Sequence, residues 1–186
     1  MNDLALVALV VLILAHLLTP AMRFLEGNPR SVWLSCAGGV AVGYVFIHLL
    51  PELNRGGEAI KNTLGSLLPF TEHHEYFIAL AGLIVFYGLD RLAKTTRGQT
   101  KEEGTGEDKG SPAAFWLHIG SFAVYNVLIG YLLVYRETPG LTSLAFFTVA
   151  MSLHFVVSDF GFLEDYPRRL YRRYGRPLLA VSVTLG

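Results

Sequence analysis

The chain predicts an all-α fold, a polytopic bundle of membrane-spanning helices, and three observations lead there. Of 186 residues, 52% are hydrophobic and only 16% are charged, against about 25% charged in soluble domains. Mean hydropathy is +0.43. The apolar residues also fall in runs close to the ~20 residues that a helix needs to cross the hydrocarbon core. Those runs are Leu4–Leu18, Val32–Leu50, Tyr76–Leu92, Ala113–Tyr135 and Leu141–Phe162, five expected spans, and Pro177–Gly186 starts a sixth. Fifteen basic and fifteen acidic residues cancel, so no global field exists to hold nucleic acid, and charge effects must be local.

The first run resembles a signal peptide in length, but Asp3 stands where a basic segment is required and no small-residue cleavage site follows Leu18. It is read as a span. In the second run, Ala37, Gly38, Gly39 and Gly43 form a small-residue stripe that lets a neighbouring helix approach closely. Cys36, the single cysteine, lies in apolar surroundings without a ligand at metal spacing and is read as packing. Its run ends His48-Leu-Leu-Pro-Glu52, which puts His48 and Glu52 on one helical face before Pro51 bends or ends the helix. They read either as an interfacial pair or as an entrance site for a cation.

Residues 54–75 form an outer loop in which Glu58–Phe70 has near-helical apolar spacing, suited to a short interfacial helix. The tetrad Glu72-His73-His74-Glu75 closes it, a solvated cluster or a weak zinc-capture point. After the third run, residues 94–112 (KTTRGQTKEEGTGEDKGSP) have no large apolar residue to bury and are expected to be a flexible cytoplasmic linker. The chain thus divides into a first three-span unit, 1–93, and a second unit, 113–186. The sixth run is too short to cross, so the sequence reads as cut off within an element.

Orientation follows from the basic residues, because cytoplasmic flanks are enriched in Lys and Arg. With the N-terminus outside, twelve of the fifteen lie on the cytoplasmic side, and only Arg55, Lys61 and Arg136 lie outside. The expected location is a plasma or inner membrane. Arg168, Arg169, Arg172, Arg173 and Arg176 form a basic juxtamembrane segment that attracts anionic headgroups, and its simplest role is that of an orienting anchor.

Ionisable groups at membrane depth are costly and mark function by default. They are His16, His48, Glu52, Asp90, His118, His154 and Asp159, with Asn126 and Ser158 as polar companions. His154 and Ser158 share a face of the fifth span, and Asp159 follows about 100° around the helix. By helical rise, His154 sits roughly 12 Å and Asn126 roughly 20 Å above the inner ends of their spans, and His118 and Asp159 lie within roughly 8 Å of the inner face. A site shared by Asn126 and His154, and an inner pair of His118 and Asp159, are the two arrangements this depth arithmetic allows. Asn126 reads equally as an interhelical hydrogen bond.

The stretch Ser35–Glu52, with its Gly-Gly pair and His-Leu-Leu-Pro-Glu ending, closely resembles the second-span signature of the Zrt/Irt-like family of divalent metal transporters. The layout is also similar, with three spans, a cytoplasmic loop, further spans and an outside N-terminus. The resemblance implies eight spans in a full member and a binuclear metal site between the fourth and fifth spans. Asn126 and Gly130 stand where that family carries Asn and Gly in its fourth span, with Tyr125 and Ile129 in place of the usual His and acidic residue. His154 stands in place in the fifth, Ser158 replaces the usual Glu, and Asp159 follows it.

The expected function is therefore transport of a divalent cation, zinc first, by alternating access. The metal candidates are His154, Asn126, Asp159, Ser158, His118, His48 and Glu52; the ion is a substrate and no other cofactor is expected. Partners are the lipid bilayer, the metal ion and a second copy of the chain, with no nucleic acid. Two neutral in-place ligands are few for a dehydrated divalent ion, so a non-transporting relative serving as sensor, regulator or partner subunit is the alternative. A third and less favoured reading is a haem-binding electron-transfer protein, because histidines sit on four separate spans; it needs paired axial histidines at matched depth, and His16, His118 and His154 fall in the inner half while His48 is alone outside. No nucleophile has a partner at shared depth, so no enzyme is expected.

Overall fold

The computed structural model describes residues 3–25, 31–54, 74–102, 112–135 and 140–186. Every regular element among them is helical. They are α1 (Asp3–Leu18), α2 (Val32–Tyr44), α3 (His74–Glu102), α4 (Pro112–Val134), α5 (Leu141–Asp165), the single turn α6 (Arg168–Leu170) and α7 (Arg176–Leu185). A π-helical turn, Val45–Leu49, extends α2, and the helical span continues to Asn54. A second π-helical turn, Tyr171–Gly175, joins α6 to α7.

Among the described residues four helices are long and apolar enough to cross a membrane: Asp3–Ala21, Val32–Asn54, Pro112–Val134 and Leu141–Asp165. They correspond to the first, second, fourth and fifth apolar runs. The third run is represented by the shorter apolar part Tyr76–Gly88 of α3. α3 itself continues to Glu102, into the stretch read from sequence as linker. Most of the outer loop, with its segment Glu58–Phe70 and the side chains of the Glu72–Glu75 tetrad, lies outside the described residues, as does the side chain of Asp90.

α1 packs on α5 and α7, α2 packs on α5, and α7 packs on α4. The buried stripe of α1 is Ala8, Leu12 and Ala15, and that of α5 is Leu144, Phe147, Met151 and Phe155, joined by Ile129 and Leu133 of α4 and Val183 of α7. The opposite face of α1 exposes Val7, Val10, Leu14 and Leu18. Apolar side chains on both inner and outer faces are what a lipid-facing bundle requires, because lipid imposes no polar exterior.

Two junctions set the bundle's geometry. α5 begins after Gly140, whose φ of 126° lies where a side chain is strained. It ends at Tyr166, which is extended because it precedes Pro167. α7 then folds back over α4 at a glycine notch. A Cβ on Gly130 would collide with the Val183 carbonyl, and one on Gly186 with the Val127 carbonyl. The close helix approach expected at Gly38, Gly39 and Gly43 is not made there: nothing described lies within 4 Å of a Cβ placed at those positions.

Candidate functional site

Three helices each contribute one polar residue to the interior at a single point. His16 of α1 is 1% exposed, Asn126 of α4 is 1% exposed and Asp159 of α5 is 0% exposed. Each continues the buried stripe of its helix: His16 follows Leu12 by four, Asp159 follows Phe155 by four, and Asn126 precedes Ile129 by three. Helical spacing therefore aims all three inward. The imidazole also stacks on Phe155, with ring centroids 4.2 Å apart, which fixes its plane.

The hydrogen bonds determine the proton inventory. The Asn126 amide Nδ2 donates to the Phe122 carbonyl at 2.8 Å, so its Oδ1 is turned toward His16 as an acceptor. His16 Nε2 lies 2.8 Å from that oxygen and must carry a hydrogen to bond it. The other ring nitrogen, Nδ1, lies 2.8 Å from Asp159 Oδ2. One proton occupies that gap, as an imidazolium facing a carboxylate or as a neutral imidazole facing a carboxylic acid. Both forms are neutral overall, which is how an ionisable pair tolerates complete burial.

Several polar atoms are buried without a hydrogen-bond partner. Among them are the second carboxylate oxygen of Asp159, Oδ1, and His154 Nε2. The His154 ring meets Tyr125 edge-on, with centroids 5.7 Å apart, and lies 6.4 Å from the Phe155 ring on which His16 stacks. Tyr171 is fully buried and brings its hydroxyl beside the Asp159 carboxylate. The end of α1 is held by arginines, Arg172 donating to the Pro20 carbonyl at 2.9 Å and Arg176 to that of Leu17 at 3.5 Å. These occupy carbonyls that a helix C-terminus leaves without intrahelical partners.

The other sequence candidates lie elsewhere. Ser158 donates to the carbonyl of His154 at 2.9 Å, turned back on its own helix. His118 Nδ1 lies 3.2 Å from the Tyr166 hydroxyl, among Phe122 and Phe162. Asp159 is bonded to His16, and His118 is held in this aromatic group. His48 stacks on Tyr44 with centroids 4.8 Å apart, faces Phe146, and has a buried Nδ1 without a partner. Glu52 is half-buried in the helical extension beyond it. Among the described residues no three His, Cys, Asp or Glu side chains gather closely enough to hold a metal ion.

Asn126 and Asp159 thus meet through His16, which the sequence marks as an ionisable group at membrane depth but not as a metal candidate. No protein-family model, curated protein or solved structure matches the chain.

Proposed function

We propose that this chain is an integral membrane protein that moves a divalent cation, zinc in the first instance, by alternating access. The cation would exchange with the proton held between His16 and Asp159. The observation that carries this reading is that two atoms able to ligate a metal, Asp159 Oδ1 and His154 Nε2, are buried outside hydrogen-bond geometry near the proton held between His16 and Asp159. Imidazole nitrogen and carboxylate or amide oxygen are donor types that zinc takes; His16, His154 and Asp159 do not gather into a ligand set in this conformation, so the reading requires the helices to shift, as alternating access does. Metal ligands bind deprotonated, so entry of the cation releases a proton. The resemblance of Ser35–Glu52 to the Zrt/Irt-like signature supports the same class of substrate.

A second reading, a non-transporting relative with this centre as a fixed lock between helices, is favoured by one observation: both His16 nitrogens are already engaged. Zinc uptake into proteoliposomes separates the two. Flux above empty vesicles that falls to background in His154→Ala and in Asp159→Asn supports transport. Background flux in the unaltered protein refutes it and leaves the lock.

A further inference from the structure

The basic stretch after α5 divides between two tasks. Arg172 and Arg176, four apart, are spent on the carbonyls that end α1. Arg169 and Arg173, also four apart, are exposed and line a separate groove of about 360 Å³ with Pro112, Pro167, Leu170 and Tyr174. No carboxylate is among these lining residues. The Arg173 guanidinium lies 5.3 Å from the centre of the Tyr174 ring. Tyr174 in turn meets Trp116, with centroids 5.7 Å apart. These two rings are 41% and 48% exposed, the residue types that settle at the headgroup level of a bilayer.

We propose that this groove is a binding site for an anionic phospholipid, its phosphate on Arg169 and Arg173 and its acyl chain along Leu170 and the two prolines. Arginine presents a planar fork that matches phosphate oxygens. The chain is neutral as a whole, so attraction at this corner is a property of these side chains and not of a general field. The apolar wall selects a lipid over free phosphate, which would leave Leu170, Pro112 and Pro167 unused. A general orienting anchor needs only charge, whereas this corner adds a shaped cavity and an aromatic pair.

The test uses the full chain reconstituted in equimolar phosphatidylcholine and phosphatidylglycerol vesicles, extracted in mild detergent, with retained lipids counted by native mass spectrometry. Phosphatidylglycerol should be retained in preference to phosphatidylcholine, and Arg169→Gln with Arg173→Gln should weaken that preference about tenfold to thirtyfold. Arg169→Lys with Arg173→Lys should keep a reduced preference, since charge remains and the fork is lost. Inorganic phosphate should not displace the lipid. Equal retention of the two lipids by the unaltered protein, no change in the glutamine variant, or displacement by phosphate would each overturn the proposal. If the glutamine variant does not fold, the lysine variant and the lipid ratio of the unaltered protein still decide it. Zinc flux plays no part in this readout.

Discussion

Replacing His16 by alanine tests the polar centre most directly. The substitution removes two hydrogen bonds of 2.8 Å and a ring contact at 4.2 Å. Side-chain hydrogen bonds between membrane helices are worth about 0.6 kcal/mol each and up to about 1.7, and an aromatic contact adds about 0.5–1.5 kcal/mol. His16→Ala should therefore destabilise the bundle by about 2–5 kcal/mol. Asp159→Asn is the informative comparison, because its amide can still donate to His16 Nδ1 while the exchangeable proton is gone. It should cost about 1 kcal/mol or less. Equilibrium unfolding in mixed micelles, run as a double-mutant cycle, measures both and the coupling between them. The reasoning fails if His16→Ala lies within about 0.5 kcal/mol of the unaltered protein, or if Asp159→Asn costs as much as His16→Ala.

Other expectations are simpler to read. Gly130→Ala should destabilise by about 1–3 kcal/mol, since its methyl meets the Val183 backbone, whereas Gly43→Ala meets nothing described and should be neutral in the same thermal melt. Arg172→Gln should lower stability by about 0.5–1.5 kcal/mol through loss of its bond to the Pro20 carbonyl, measured by the same unfolding assay. Tyr171→Phe removes a buried hydroxyl that lies outside hydrogen-bond geometry and should leave stability unchanged or slightly raised; a clear loss would show that the hydroxyl is bonded. If zinc replaces the shared proton, a pH-sensitive dye outside detergent-solubilised protein should register acidification on zinc addition, and Asp159→Asn should abolish it.

The four long apolar helices are legible in the sequence because length and hydropathy are local properties. Leu141–Phe162 was read from composition alone, and α5 covers it and runs on to Asp165. The centre was less legible for two physical reasons. In lipid both faces of a helix are apolar, so the stripe Ala8, Leu12 and Ala15 does not stand out from Val7, Val10 and Leu14, and the inward aim of His16 is hidden. The depth arithmetic also assumed that helix ends share one plane. It set Asn126 well above Asp159, yet one imidazole bridges them, so α4 and α5 are not level at their inner ends. The polar residues themselves were visible as exceptions at membrane depth, and Asn126 and Asp159 were both chosen on that ground. Their partner was not, because the contacts span 110 and 143 residues.

That separation has a consequence during synthesis. α1 is made before α4 and α5, and the partners of its imidazole leave the ribosome 110 and 143 residues later. At about 5–20 residues per second this is a delay of roughly 5–30 s. His16 lies five positions before the end of the apolar span Asp3–Ala21, close to the interface that can hydrate it in the meantime. The first helix would then wait near the bilayer surface, and arrival of α5 would draw its histidine inward, making closure of the centre a late step in assembly.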